Sequence, residues 1–302
     1  MILIIGGGAL GITFATKLHR AGTAVKLVVR SKELINKIKS GKFLFFDTAS
    51  HKIDVPLLRP DEAREETADM ILVAVKAYDM DGVIEDYRQL LKNSHLVVGL
   101  QNGIGAQEKL ESIKDDGKIG ILVTSEGATK TEDRVRYFKG GNNYLGYLKG
   151  KRDPRLEEFA RHLEKAGFNA RVVDDIAPYR FAKLLFNSVI NPLTALVKKP
   201  NGYILKSLHL YGLATELLKE GLHILSLEGI RLPFSEPQAE LLRILEKTRK
   251  NFSSMLQDVK RGRKTEIDFL NGALLAMARK NKKKLPFHET LYNLVKSLEP
   301  CS

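Results

Sequence analysis

The 302-residue chain is poor in cysteine and contains no tryptophan. Its one cysteine, Cys301, excludes an intrachain disulfide and gives no sign of an oxidising compartment. No stretch of about 18 consecutive apolar residues occurs, so the sequence offers no candidate membrane-spanning helix. The first residues lack the positively charged region of a secretory signal peptide and read directly as a strand, which predicts a cytoplasmic protein.

Acidic residues are outnumbered by basic ones, and the net charge is +13. The excess is largest late in the chain, in the runs KRGRK (260–264) and RKNKKK (279–284). Such runs either steer anionic small molecules or form a solvated helix surface. A nucleic-acid motif and interleaved aromatic residues are missing, which argues against a nucleic-acid partner. The seven histidines form no ligand-spaced cluster, so the sequence predicts no metal centre.

The chain changes its hydrophobic period near residue 174. Before that point, short apolar runs alternate with helical patterns, which is typical of βαβ units in a parallel sheet. These runs predict strands at 2–6, 24–30, 69–75, 95–100 and 118–124. After it, amphipathic helical patterns cover 177–197, 205–229, 237–258 and 263–280. We therefore expect an α/β Rossmann-type dinucleotide-binding domain over 1–174, followed by an all-α domain over 175–302.

A glycine-rich turn follows the first predicted strand and leads into a helical pattern. Its residues fit G-x-G-x-x-G and are Gly6, Gly7, Gly8, Ala9, Leu10 and Gly11. The pattern provides a tight turn, close approach of a pyrophosphate to the backbone, close packing of helix on strand, and helix N-terminal N–H groups for phosphate. A glycine-rich turn without a ligand could have the same sequence. The position of this turn between a strand and a helix nevertheless favours dinucleotide binding.

The second predicted strand ends in Arg30-Ser31-Lys32, without an Asp or Glu. An acidic residue here accepts from the ribose 2′-hydroxyl of NAD, whereas a cation accommodates the 2′-phosphate of NADP. The sequence therefore predicts NADP (NADPH) as the cofactor, although an arginine on a solvated turn would look the same. Lys76 and Asn102 follow two later strands at their carboxyl ends, where ligands bind in such folds and where ordinary loop residues also occur.

The segment FAKLLFNSVINPLTAL (181–196) carries Lys183, Asn187 and Asn191 at intervals of four residues on an otherwise apolar helix. At roughly 100° per residue they lie within about a quarter of the helix circumference and form one polar stripe. A lysine carried inward by such a helix is costly unless a group pairs with it. Glu266, beside an apolar helical pattern, is a candidate partner, although an acid that favours the helix macrodipole is the commoner role.

Several segments carry a more specific pattern. They are GGGALG at the start, VKA (75–77), QNGIG (101–105), KLLFNSVINPLTAL (183–196), PNG (200–202), NFSSMLQD (251–258) and TEIDFLNG (265–272). In these segments the chain resembles the ketopantoate reductase (2-dehydropantoate 2-reductase) family over nearly its whole length. The later segments are not shared by dinucleotide-binding domains generally, so they distinguish this family from other two-domain reductases.

The resemblance implies reduction of 2-dehydropantoate to (R)-pantoate with NADPH, a step towards pantothenate and coenzyme A. It implies that Lys183 is the catalytic acid and that Glu266 is its carboxylate companion. The implied substrate contacts are Asn102, Asn187, Asn191, Asn201, Asn251 and Ser254. The implied cofactor contacts are the residues of the glycine-rich turn, Arg30, Lys76, Asn102 and Glu266.

Two other functions stay open at this point. One is a reductase of the same fold for another 2-oxo acid, because a hydrophobic pocket separates substrates that differ by a methylene only about 10–200-fold. The other is a dinucleotide-binding sensor without turnover, which would have no chemical need for a buried lysine beside Glu266. The expected partner is a small-molecule substrate rather than nucleic acid or a membrane, and exposed apolar surface on a helical domain is compatible with a homodimer.

Overall fold

The structure is a computed structural model and describes residues 1–114, 117–149 and 153–300. Cys301 therefore lies outside the described residues. The chain divides into two compact units. The first consists of Met1–Gln101 and Ala106–Ile176, and the second consists of Asn102–Gly105 and Ala177–Ser302.

The first unit alternates strands and helices. Its strands are β1 (Ile2–Ile5), β2 (Val25–Val28), β3 (Leu44–Phe46), β4 (Ser50–His51), β5 (Leu57–Leu58), β6 (Met70–Val73), β7 (Leu96–Gly99), β8 (Ile119–Thr124), β9 (Gly127–Lys130), β10 (Arg134–Phe138), β11 (Asn142–Tyr147) and β12 (Asn169–Val172). Its α-helices are α1 (Ala9–Arg20), α2 (Lys32–Lys39), α3 (Pro60–Arg64), α4 (Met80–Asp86), α5 (Arg88–Asn93) and α6 (Pro154–Lys165), and 3₁₀ helices span Ala77–Asp79 and Gln107–Ser112.

The larger sheet has the order β12-β11-β8-β7-β6-β1-β2-β5 within the described residues. Its strands pair in parallel except for β8 with β11. β1 and β6 are buried along their whole length, because strands covered on both faces require continuous apolar sequence. The order reverses at β1, which pairs with β2 on one side and β6 on the other. Ligands bind at the carboxyl ends of strands beside such a reversal.

A smaller sheet, with the order β4-β3-β10-β9, was not predicted from the sequence. β4 has two residues and β3 has three, which is too short for a reliable period-2 signal. β9 reads GATK, and glycine, alanine and lysine are poor strand formers. The five strands that the apolar runs predicted are all present, as β1, β2, β6, β7 and β8.

The second unit is helical, as predicted, and its helices pack around their own leucine-rich core. They are α7 (Ala177–Val197), α8 (Tyr203–Lys206), α9 (Leu208–Leu227), α10 (Pro237–Lys247), α11 (Ser254–Lys260), α12 (Asn271–Lys280) and α13 (Pro286–Lys296), with a 3₁₀ helix at Ile267–Phe269.

Two of the helical patterns were wrong in extent. The pattern over 237–258 is broken between α10 and α11, where Ser253 accepts from the N–H of Leu256 and begins a new helix. Ser and Asn bond to nearby backbone groups and so favour caps over helix interiors. The pattern over 263–280 becomes an α-helix only at Asn271, after the 3₁₀ turn. α13 lies beyond the patterns that the sequence analysis had identified.

His288 joins several helices of this core. Its Nε2 lies 2.9 Å from the carbonyl oxygen of Leu217, and its Nδ1 lies 2.9 Å from the amide nitrogen of Asn271, which also donates to the carbonyl of Ser188. Burial lowers the pKa of His288 to about 4, so the imidazole is neutral at neutral pH. A neutral ring has one donor and one acceptor, so Nε2–H donates to Leu217 and Nδ1 accepts from Asn271.

Two absences apply to the described part of the chain. Residues 1–114, 117–149 and 153–300 contain no group of three His, Cys, Asp or Glu side chains arranged to hold a metal ion. Over the same residues, the helices fall short of the length and apolarity that a membrane-spanning helix needs.

Candidate active site

The glycine-rich turn between β1 and α1 fits a dinucleotide pyrophosphate. Gly6 has φ +132°, and a Cβ on Gly11 would lie 2.0 Å from the carbonyl oxygen of Gly6, so the fold itself requires both glycines. Gly8 has φ −76°, and the nearest atom to a Cβ placed there would be the carbonyl oxygen of Ala74 at 3.9 Å. The chain's own packing therefore does not explain Gly8, whereas close approach of a pyrophosphate to the backbone does.

Lys130, on β9, is a contact to this turn that the sequence analysis missed. Its Nζ donates to the carbonyl oxygen of Gly7 at 2.9 Å. The two residues are 123 positions apart, and β9 belongs to the small sheet that was not predicted. The ammonium group adds positive charge at the turn, which suits phosphate binding.

Arg30 lies just beyond β2 with an exposed side chain. One guanidinium nitrogen, Nη2, lies 3.5 Å from Oδ2 of Asp79. Exposed ion pairs of this kind contribute about 0–1 kcal/mol, so Asp79 does not fix the guanidinium in place. Ser31 caps α2 by accepting from the N–H of Leu34 at 3.1 Å. Lys76 is half-buried and immediately precedes the 3₁₀ helix Ala77–Asp79, beyond the carboxyl end of β6.

The polar stripe of α7 lies on a helix that is largely buried, as its periodicity predicted. Lys183 and Asn187 are half-buried, and Asn191 is buried. Thr194 donates to the backbone of its own helix and lies 2.7 Å from Oγ of Ser253, so α7 is tied to the start of α11. Removal from water lowers the pKa of Lys183 to about 8, and the negative charge of Glu266 opposes that shift.

Glu266 is buried, with 4% of its surface exposed, and it immediately precedes the 3₁₀ helix Ile267–Phe269. Oε2 of its carboxylate accepts a hydrogen bond from Nδ2 of Asn102 at 3.0 Å. Four residues separate it from the start of α12, so it is not placed as an acid in the first turn of that helix.

The segment 102–105 lies directly on the backbone that follows Glu266. The N–H of Ile104 donates to the carbonyl of Phe269 at 3.1 Å. A Cβ on Gly103 would lie 2.0 Å from that carbonyl oxygen, so only glycine permits this approach. The backbone contact holds Asn102 beside Glu266 within the second unit.

The remaining predicted substrate residues lie around the break between α10 and α11. Asn201 is buried, while Asn251 and Ser254 are exposed. The N–H of Asn201 donates to the carbonyl of Asn251 at 2.9 Å, and Nδ2 of Asn201 donates to Oγ1 of Thr248 at 3.0 Å. Thr248 was not singled out in the sequence, because it lay within a segment that was predicted to be one continuous helix.

Comparison with known proteins identifies the family. The family model described as "Ketopantoate reductase PanE/ApbA" matches residues 2–150, and the model "Ketopantoate reductase PanE/ApbA C terminal" matches residues 175–299. The 2-dehydropantoate 2-reductase of Pyrococcus horikoshii is 33% identical over 99% of this chain and 97% of its own length. The enzyme of that name from Archaeoglobus fulgidus is 32% identical, with 99% and 97% covered.

A solved structure extends the likeness to the fold. D-mandelate dehydrogenase in complex with NADH and anilino(oxo)acetate superposes with a TM-score of 0.91, at 26% identity, over 99% of this chain and 98% of that one. The full-length match at the level of sequence and the matches of the two family models agree with one another. The chain therefore belongs to the ketopantoate reductase family, which is a family of dinucleotide-dependent oxidoreductases.

Proposed function

We propose that the protein reduces 2-dehydropantoate to (R)-pantoate with NADPH, in the route to pantothenate and coenzyme A. The observation that carries this proposal lies on the helical unit, where burial lowers the pKa of Lys183 to about 8 and the buried carboxylate of Glu266 is near enough for its charge to oppose that shift. Curated relatives across the chain's full length bear the name 2-dehydropantoate 2-reductase, which supports the same substrate. A sensor without turnover would not need a proton donor at this position.

The side chains of this site suit reduction of a ketone. When bound, NADPH supplies the hydride. Negative charge then develops on the carbonyl oxygen, and the Lys183 ammonium stabilises that charge and donates a proton to it, so that the ketone becomes an alcohol. The resulting amine is neutral and regains its proton from water. Glu266 favours the protonated lysine at neutral pH, because its negative charge opposes the effect of burial.

The two parts of the chain would divide the binding work. We assign NADPH to residues 1–174 and substrate to residues 175–302, with Asn102 and Glu266 serving both. The cofactor residues are Gly6, Gly7, Gly8, Ala9, Leu10, Gly11, Arg30 and Lys76, and the substrate residues are Asn187, Asn191, Asn201, Asn251 and Ser254. Uncharged amides hold a hydroxy-keto acid by hydrogen bonds without neutralising Lys183.

NADPH is expected to be preferred over NADH, because Arg30 is a cation at the end of β2 that can pair with the 2′-phosphate. Arg30→Ala should raise the KM for NADPH about tenfold while leaving kcat at saturating cofactor little changed, since a charge-assisted hydrogen bond contributes roughly 1.5–3 kcal/mol before solvent screening. Steady-state kinetics with both cofactors measure this.

Lys39→Ala is the matched control, because it removes a charge from the far end of α2. It should leave the KM for NADPH within about twofold, since screening weakens charges beyond about 10 Å. Equal efficiency of the unmodified protein with NADPH and NADH would contradict the cofactor assignment.

A second candidate is reduction of another 2-oxo acid with NADH. The likeness to D-mandelate dehydrogenase, solved with NADH, favours it, and Asp79 beside Arg30 would oppose an additional phosphate. The substrate segments that set the family apart, including the asparagines of α7, make 2-dehydropantoate the first choice.

The deciding experiment follows oxidation of NADPH and of NADH with 2-dehydropantoate beside a panel of other 2-oxo acids. We expect the highest kcat/KM for 2-dehydropantoate with NADPH, and (R)-pantoate as the product by chiral chromatography. A higher kcat/KM for an aromatic or unbranched 2-oxo acid would establish the second candidate instead. No oxidation of either cofactor with any substrate would favour the sensor.

A further inference from the structure

The side chain of Asn201 has one satisfied end and one unsatisfied end. Its Nδ2 donates to Oγ1 of Thr248 at 3.0 Å. Its Oδ1 is fully buried and has no hydrogen-bond partner among the described residues. Buried amide oxygens are nearly always paired, so an orphaned one on a residue that the proposed function assigns to the substrate indicates a donor that comes with the ligand.

Thr248 determines which end of the amide is left over. Its hydroxyl has one proton, and it donates that proton to the carbonyl of Ile244 at 2.7 Å. Towards Asn201 the hydroxyl can therefore only accept, so it must face the NH₂ group rather than the oxygen. Nδ2 of Asn201 donates to the Thr248 hydroxyl, and that hydroxyl donates to Ile244. These two bonds fix which end of the Asn201 amide is the oxygen before any ligand binds.

The backbone around this pair makes the orientation rigid. The N–H of Asn201 donates to the carbonyl of Asn251 at 2.9 Å, and the N–H of Gly202 donates to the carbonyl of Arg249 at 3.2 Å. The N–H of Asn251 in turn donates to the carbonyl of Thr248 at 2.8 Å. Backbone hydrogen bonds from residues 201–202 to the turn after α10 therefore fix the position of Asn201. Its side chain cannot reorient without losing the bond to Thr248.

We propose that Thr248 is a positioning residue that aims Oδ1 of Asn201 at the hydroxyl group of a hydroxylated 2-oxo acid. This inference rests on the proposed function. The substrate carries a carboxylate, a ketone and one hydroxyl, and at neutral pH the hydroxyl is its only hydrogen-bond donor. An acceptor-only atom such as Oδ1 must therefore pair with that hydroxyl, which lets the site distinguish this substrate from analogues that lack it.

The test compares two substrates in Thr248→Val and Thr248→Ser. Valine matches threonine in shape but has no hydroxyl, whereas serine keeps the hydroxyl and serves as the matched control. The substrates are 2-dehydropantoate and 3,3-dimethyl-2-oxobutanoate, which has a methyl group in place of CH₂OH. The measured quantity is kcat/KM for 2-dehydropantoate divided by kcat/KM for 3,3-dimethyl-2-oxobutanoate. Both values come from the same enzyme sample, so the ratio does not depend on the fraction of enzyme that is folded.

Thr248→Val is expected to lower this ratio about tenfold, mainly through the KM for 2-dehydropantoate, because losing one neutral hydrogen bond has an effect of that order. Thr248→Ser should keep the ratio within about twofold of the unmodified protein, and the Kd for NADPH by fluorescence titration should be unchanged in both variants. An unaltered ratio in Thr248→Val would overturn the proposal, even with a lower kcat/KM for both substrates, since that pattern means a purely structural role. Failure of the proposed function is separate: the unmodified protein would not oxidise NADPH with 2-dehydropantoate.

Discussion

Lys183→Ala is expected to reduce kcat roughly 10²–10⁴-fold while the Kd for NADPH stays nearly unchanged, because a positioned proton donor contributes about that much to the rate. The alanine variant cannot donate a proton to the developing alkoxide or stabilise its charge. The residues proposed to bind the cofactor lie within residues 1–174, apart from Glu266, so cofactor affinity has little reason to fall. Stopped-flow turnover and NADPH fluorescence titration measure the two quantities separately.

Lys219→Ala is the matched control for this variant. Lys219 lies on α9, is exposed and pairs with Glu216 on its own helix, so its removal should leave kcat within about twofold, as surface changes usually do. If Lys183→Ala behaves like this control, the lysine merely extends along the helix to water and is not the proton donor.

The pH dependence of the unmodified enzyme gives the same assignment an independent check. The pKa of Lys183 is lowered to about 8, and only the protonated amine acts as an acid. Below that pH the amine is protonated, so titration of Lys183 should leave kcat/KM independent of pH. Above it, kcat/KM should fall about tenfold per pH unit, because the protonated fraction falls in that way. The decline should be absent in Lys183→Ala.

The sequence predicted those parts of the site that depend on local periodicity. Lys183, Asn187 and Asn191 lie on one helix, so their spacing alone placed them on one stripe. The pairing of Asn102 with Glu266 spans 164 residues, and no periodic signal connects positions that far apart. On pattern, Glu266 was a candidate partner of Lys183, although a helix-start acid was the commoner role, and the resemblance to a family favoured the partnership.

The errors in the fold prediction have a similar origin. Five strands of the larger sheet, β1, β2, β6, β7 and β8, lie in largely apolar runs and were predicted. The short strand β3 of the small sheet instead pairs with β10, which lies about 90 residues later in the chain. The break after α10 is set by bonds from Thr248 and Asn251 to the region of Asn201. The helical period of the sequence continues through this break. The contact of Thr248 with Asn201 therefore could not be predicted from the sequence.

Glu266→Gln should lower kcat/KM for 2-dehydropantoate by about 10–150-fold, the equivalent of losing a hydrogen bond to a charged group, which costs roughly 1.5–3 kcal/mol. Glutamine keeps the shape and a carbonyl oxygen for Asn102 but removes the negative charge near Lys183. That charge opposes the lowering of the lysine pKa, so its loss should move the falling limb of kcat/KM to a pH below the limb of the unmodified enzyme. Glu266→Ala should be more severe, because it also leaves Nδ2 of Asn102 without this acceptor.

The substrate pair used for Thr248 separates the role of Glu266 from that of Asn201. Because the substrate hydroxyl has a single proton, assigned to Oδ1 of Asn201, the loss in Glu266→Gln should be nearly equal for 2-dehydropantoate and for 3,3-dimethyl-2-oxobutanoate. NADPH is titrated by fluorescence and both keto acids kinetically over a range of pH. A weaker Kd for NADPH with unaltered substrate kinetics would contradict the proposal that Glu266 acts on Lys183. If neither the Kd for NADPH nor the substrate kinetics changed, Glu266 would have only the structural role of binding Asn102. A loss confined to 2-dehydropantoate would instead indicate that the substrate hydroxyl donates to Glu266 rather than to Asn201.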